Sequence, residues 1–136
     1  MILPDAIAVI NPKISLGESP VFHLSGAGIA FKLVQALAIT QGEKIILYDF
    51  LDLAALGTMA DVVPLTGENR LLVKEGLKML ENGARHGIRV LKNIAGIEGR
   101  GLKTGMLLFT VIPRINAAGR VSDSQEVVKL FLTDSE

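Results

Sequence analysis

The chain has 136 residues, about the length of one domain and enough for one hydrophobic core rather than two substantial ones. Lys plus Arg equal Asp plus Glu at 14 each, so there is no overall electrostatic pull toward nucleic acid, and with no cysteine, disulfides, Cys-ligated zinc and thiol catalysis are excluded. Apolar residues reach 49% and mean hydropathy is +0.44, yet no apolar run approaches about 18 residues, so no membrane span is expected and the surplus apolar surface suits a chain that packs against further protein.

The first element expected is a short buried strand over Ala6 to Ile10 (AIAVI), closed by the turn pair Asn11-Pro12. The opening MILPDAIAVINP has no secretory-signal pattern, and a cytoplasmic setting follows as the expectation. After a polar loop, Ser25-Gly26-Ala27-Gly28 opens a helix in which Ile29, Leu33 and Leu37 recur one turn apart, ending near Gly42. Ile45 to Leu56 reads as a buried helix with Asp49 and Asp52 along one polar, exposed edge. Gly57-Thr58 is expected to stop it, leaving Asp61 at a turn before Val62-Val63-Pro64.

Glu68 to Glu81 is the clearest helix, with Val73, Leu77 and Leu80 on one face and an acid in the first turn. Shorter helices are expected over Ile88 to Ile94 and Thr104 to Ile112, where Pro113 intervenes. A last one runs from Ser124 to Leu132, announced by the capping-box spacing Ser122-x-x-Gln125. The expected class is α/β but helix-rich, with one parallel-sheet strand near the N-terminus followed by several helices. A single strand makes no sheet, so the chain reads as incomplete.

Three stretches are candidates for chemistry. The first, Ser25-Gly26-Ala27-Gly28-Ile29-Ala30, superficially suits a dinucleotide, but Phe31 holds the third glycine position and no acidic partner follows, so tight helix packing is the favoured reading. The second is Asp61 within ALGTMADVVPL, a lone carboxylate in an apolar run. An ionised group among Ala, Val and Leu needs a cation or donors, and local sequence leaves a capping aspartate and a metal ligand evenly balanced.

The third is Pro113-Arg114-Ile115-Asn116-Ala117-Ala118-Gly119-Arg120, where planar donors are interspersed with small residues that permit close backbone approach to phosphate. It ends a segment, Arg85 to Arg120, that holds seven basic residues against Glu98 alone, a net +6 flanked by −3 on either side. That segment is the candidate phosphate-facing surface, but charge alone equally suits a solvated basic helix face, and local sequence slightly favours a structural arginine network for Arg114 and Arg120. His23 and His86 have no second ligand at metal spacing and read as surface or loop histidines.

Taken together, LPDAIAVINP, LSGAGIAFKLVQAL, LDLAALGTMADVVPLTGENR and PRINAAGR, in this order, resemble the RecJ branch of the DHH phosphoesterases. The resemblance implies single-strand-specific DNA hydrolysis from the 5′ end, in DNA recombination and repair, using Mn2+ or Mg2+. It makes Asp61 a metal ligand and places Arg114, Asn116 and Arg120 on the nucleic-acid side of the cleft. It also implies that residues 1–136 are part of the phosphoesterase domain. The family's Asp-His-His triplet and earlier aspartates belong upstream of the LPDAIAVINP block, and its DNA-gripping domains belong downstream. Ile112 departs from the glycine usual before Pro-Arg.

The expected partners are therefore single-stranded DNA and the remaining portions of the same enzyme, with self-association of the isolated piece and no activity of its own. Two other readings compete: a non-catalytic helical interaction or nucleic-acid-binding module, and a DHH phosphoesterase acting on short RNA or pyrophosphate. PRINAAGR together with ADVVPLTGENR favours the exonuclease branch.

Overall fold

The computed structural model describes residues 4–14, 19, 21–43, 46–82, 85–121 and 123–134. Eight helices follow in chain order among them: α1 (Gly26–Gln41), α2 (Ile46–Asp49), α3 (Leu51–Ala60), α4 (Gly67–Asn82), α5 (His86–Ile94), α6 (Thr104–Phe109), α7 (Val111–Val121) and α8 (Ser124–Leu132).

Helix α3 is central. It packs chiefly on α4 and α1 and also meets α6, burying residues around most of its circumference, as expected of a helix that is apolar nearly all round. Two glycines allow the close approach. A Cβ on Gly57 would lie 2.3 Å from the Ala27 Cβ of α1, and one on Gly76 would lie 2.3 Å from the Ala55 Cβ and 2.6 Å from the Leu51 carbonyl. This corrects the expectation that Gly57-Thr58 ends a helix: the helix continues to Ala60 because Gly57 is there for contact, not for a stop. The expected single helix over Ile45 to Leu56 is instead divided at Phe50 into α2 and α3; Ile45 itself lies outside the described residues.

One core cluster joins α3 and α4 to the carboxyl-terminal helices through Leu56, Leu80, Ile88, Leu107 and Val111, with Leu130 and Phe131 of α8 packed on it. A smaller one joins Leu24 and Phe31 to Ala54 and Leu72. In α1 the residues turned inward are Gly28, Phe31 and Ala38, while Leu33 (46%), Leu37 (53%) and Ile39 (76%) remain exposed. The expected Ile29–Leu33–Leu37 stripe is therefore mostly an outer face. The 3.6 period identified a stripe, but α3 took its neighbour.

Caps account for several boundaries. The Ser25 hydroxyl accepts from the Gly28 N–H at 2.9 Å, and Gly42, at φ 72°, closes α1. At α8 the cap is Asp123, which accepts from the Gln125 N–H at 2.9 Å; Ser122, the expected cap, lies outside the described residues. Pro113 falls in the first turn of α7, where its missing N–H costs nothing, so the Pro-Arg stretch is helical and not a break.

No strand forms among the described residues. Over Ala6 to Ile10 the segment is irregular and exposed, with Asn11 folding the following turn by accepting the Lys13 N–H at 3.0 Å. A strand is made by pairing, and no other described segment supplies an edge. The helix-rich part of the expectation stands.

Candidate metal and nucleic-acid site

Asp61 is the C-cap of α3, its N–H bonded to the Gly57 carbonyl at 3.0 Å. Helical periodicity points Ala55, Leu56 and Met59 inward, while Asp61 beyond them is exposed. The carboxylate is thus not embedded in apolar surroundings, and among the described residues no hydrogen bond or ion pair reaches it.

An open carboxylate at the end of a helix that carries partial negative charge suits a cation, so the donor chemistry fits one corner of a hard-metal site. It does not fit a whole one. Among the described residues no group of three or more His, Asp or Glu side chains comes together. Directly after Asp61, Val62 adopts φ 54°, a left-handed conformation costly for a β-branched residue, with its N–H bonded to the Met59 carbonyl at 3.2 Å.

Helix α7 carries Arg114, Asn116 and Arg120, all exposed. Asn116 and Arg120 stand one turn apart on one face, whereas Arg114 lies on another, its Nη1 donating to the Thr110 carbonyl at 2.6 Å. The structure therefore groups two of the three expected contacts and turns the third toward the end of α6. A groove of about 340 Å³ runs between α3, α7 and α8, lined by Gly57, Ala60, Ile112, Ile115, Asn116 and Phe131. Asn116 and Ala60, the residue that precedes Asp61, both line it.

The basic segment from Arg85 to Arg120 is not one phosphate-facing surface. Lys92 is buried, and its ammonium donates to the Leu80 and Glu81 carbonyls at 2.9 Å each, capping the end of α4 with a cation. Arg85, part-buried, is committed to internal partners as well. Its Nε lies 3.0 Å from Asp52 Oδ2, Nη1 donates to the Phe131 carbonyl at 2.8 Å, and Nη2 donates to the Asp49 carbonyl. Arg89 meets His86, Nη2 to Nδ1 at 3.1 Å, and His23 sits edge-on to Phe22.

Asp52 is the carboxylate that is buried, correcting the expectation of an exposed Asp49/Asp52 edge. The available signal was its place in the first turn of an otherwise apolar helix, LDLAAL. Asn69 was also passed over in the sequence. It is 2% exposed and bonded to the carbonyls of distant His23 and nearby Pro64, and its signal was a lone amide in the first turn of α4.

Comparison with known proteins places this geometry. No protein-family model matches the chain. The single-stranded-DNA-specific exonuclease RecJ of Salmonella typhimurium is 41% identical over 144 aligned positions, which cover 98% of this chain and 25% of that protein. The one of Thermus thermophilus is 41% identical over 133 positions, covering 96% and 19%. Among solved structures, RecJ in complex with Mg2+ from Thermus thermophilus superposes with a TM-score of 0.77 at 40% identity, over 92% of this chain and 19% of that one. Exonuclease RecJ bound to manganese gives 0.72 at 43% identity, over 81% and 28%. In sequence and in fold alike the chain is similar to one part of these RecJ proteins. It spans about a quarter of the length of the Salmonella relative and about a fifth of the Thermus one.

Proposed function

We propose that residues 1–136 form part of the DHH phosphoesterase domain of a RecJ-type, single-strand-specific DNA exonuclease. The observation that carries this reading is identity near 40%, sustained over nearly the whole chain, to proteins that bear that name. In the complete enzyme, bound Mn2+ or Mg2+ would supply activation of water and offset the charge that develops on the phosphate.

This chain's own part is narrower. Asp61 supplies one carboxylate from the end of α3, and residues outside the chain supply the rest of the ligands. Asn116 and Arg120 face the single strand from α7, and Arg114 joins them by releasing the Thr110 carbonyl. The Ala6 to Ile10 segment pairs as a strand in a parallel sheet whose other strands lie outside these residues. The exposed apolar face of α1 packs against those same portions, and in their absence drives self-association. The cytoplasm is the setting that suits this activity; no described helix is long and apolar enough to cross a membrane.

The test is release of nucleotides from end-labelled single-stranded DNA in Mn2+. A RecJ-type enzyme carrying this segment is expected to degrade the strand from its 5′ end, Asp61→Ala to lose roughly 100-fold or more in rate, and the 136-residue chain alone to release nothing. Asp61-dependent release by the isolated chain would contradict the division of ligands. On the binding side, Arg120→Ala is expected to weaken single-strand affinity and flatten its dependence on salt. An unchanged salt slope would remove Arg120 from the interface.

A further inference from the structure

Asn69 stands in the first turn of α4, 2% exposed. Its amide nitrogen donates to the His23 carbonyl at 2.8 Å and to the Pro64 carbonyl at 3.0 Å, so both amide hydrogens are committed, one to the segment entering α1 and one to the turn leaving α3. Among the described residues its Oδ1 is buried without a hydrogen-bond partner. Rotating the amide would set that oxygen against two carbonyl oxygens, so the orientation is fixed. A leucine of similar shape would avoid the unpaired oxygen altogether, and the position holds an amide in spite of that cost.

What the two bonds accomplish is local to Asp61. Three residues before it, the Thr58 hydroxyl bonds the Ser25 hydroxyl at 2.9 Å in a fully buried contact. Three residues after it, the Pro64 carbonyl is held by Asn69, which is held in turn to His23. Both flanks of Asp61 are thereby tied to the same short segment, residues 23–25. Between the ties Val62 is kept at φ 54°, a conformation that persists only where its surroundings determine it.

We propose that Asn69 is a positioning residue for Asp61. Its amide fixes the turn through Val62 and Pro64 so that the carboxylate leaves the end of α3 in one direction, ready to meet a divalent cation. The proposal rests on the reading of Asp61 as a metal ligand.

Amide hydrogen exchange, followed by NMR on this chain without metal, tests the positioning by itself. Asn69→Leu is expected to accelerate exchange of the Asp61 and Val62 N–H groups by about tenfold or more while Ala55 and Leu56 in the same helix change little. Unchanged rates at Asp61 and Val62, or equal acceleration throughout α3, would overturn it. Thr58→Val cuts the other tie with Asn69 intact and is expected to loosen the same two amides; no change there would overturn the bracketing.

In a RecJ-type enzyme carrying this segment, Asn69→Leu is further expected to weaken Mn2+ binding roughly tenfold, an outer-sphere effect, with KM for single-stranded DNA unchanged. If Asp61→Asn weakens Mn2+ binding and Asn69→Leu does not, the positioning role fails and the ligand reading stands. If neither variant affects it, the ligand reading fails.

Discussion

Helix α3 carries an aspartate at each end, and the fold treats the two in opposite ways. Asp52, in the first turn, is 2% exposed, with Oδ2 at 3.0 Å from Arg85 Nε and Oδ1 accepting the Leu53 N–H at 2.7 Å. Through the other Arg85 donors it fastens the amino end of α3 to α8 and to the end of α2. A negative charge at a helix amino terminus is also favoured by the aligned peptide dipoles. Asp61, at the other end, is exposed, has no partner among the described residues and sits where those dipoles disfavour it. One carboxylate stabilises the fold. The other is open to solvent at the end of the helix.

The comparison breaks most strongly at Asp52. Asp52→Ala strips a part-buried arginine of its counter-ion and is expected to cost about 3–5 kcal/mol in urea unfolding; a cost as small as that of an exposed ion pair would mean the pair does not hold the fold. Gly76→Ala disturbs the same end without touching a charge. Its Cβ would meet the Leu51 carbonyl at 2.6 Å, and a loss of about 1–3 kcal/mol is expected in the same assay.

Asp61→Asn should go the other way, gaining about 0.3–1 kcal/mol by removing a charge from the wrong end of the helix dipole. A loss would show that Asp61 has a structural role after all.

The smallest effect concerns an exposed carboxylate that does have a partner. The hydrogen bond from Lys78 holds the Glu75 carboxyl below its ordinary value against an opposing effect of desolvation, with the charges of Lys78 and Lys74 adding to the lowering. A lowered carboxyl contributes stability above its unfolded value and loses it as pH falls through the folded one. Lys78→Ala should return the Glu75 titration, followed by NMR, toward the ordinary carboxylate range and leave stability almost unchanged.

Much of the helical layout was legible because it rests on local chemistry. Ser25, Gly42 and the first-turn acid of α4 announced their boundaries, the apolar period placed α4, and the helices expected at α5 and α8 lie within a few residues of where they form. What could not be read depended on distant neighbours. Gly57 resembles a helix stop until Ala27 is seen against it, and Lys92 resembles a surface cation until the end of α4 closes over it.

The candidate site divides along the same line. Asp61 stood out as a charge in an apolar run, but its exposure reflects its place just beyond the last turn of α3. Asn116 and Arg120 share a face because α7 continues through Pro113, which the sequence had marked as an interruption. Asn69 was hidden because its partners lie 46 and 5 residues away.

The contrast between the two ends of α3 is tested most directly by titrating Mn2+ into a RecJ-type enzyme that carries this segment, comparing the Asp61→Asn variant with the unaltered protein. A fall in affinity of roughly 10-fold to 100-fold, with the folded state at least as stable as before, is the expected result. Unchanged Mn2+ affinity would contradict the assignment of Asp61 to the metal.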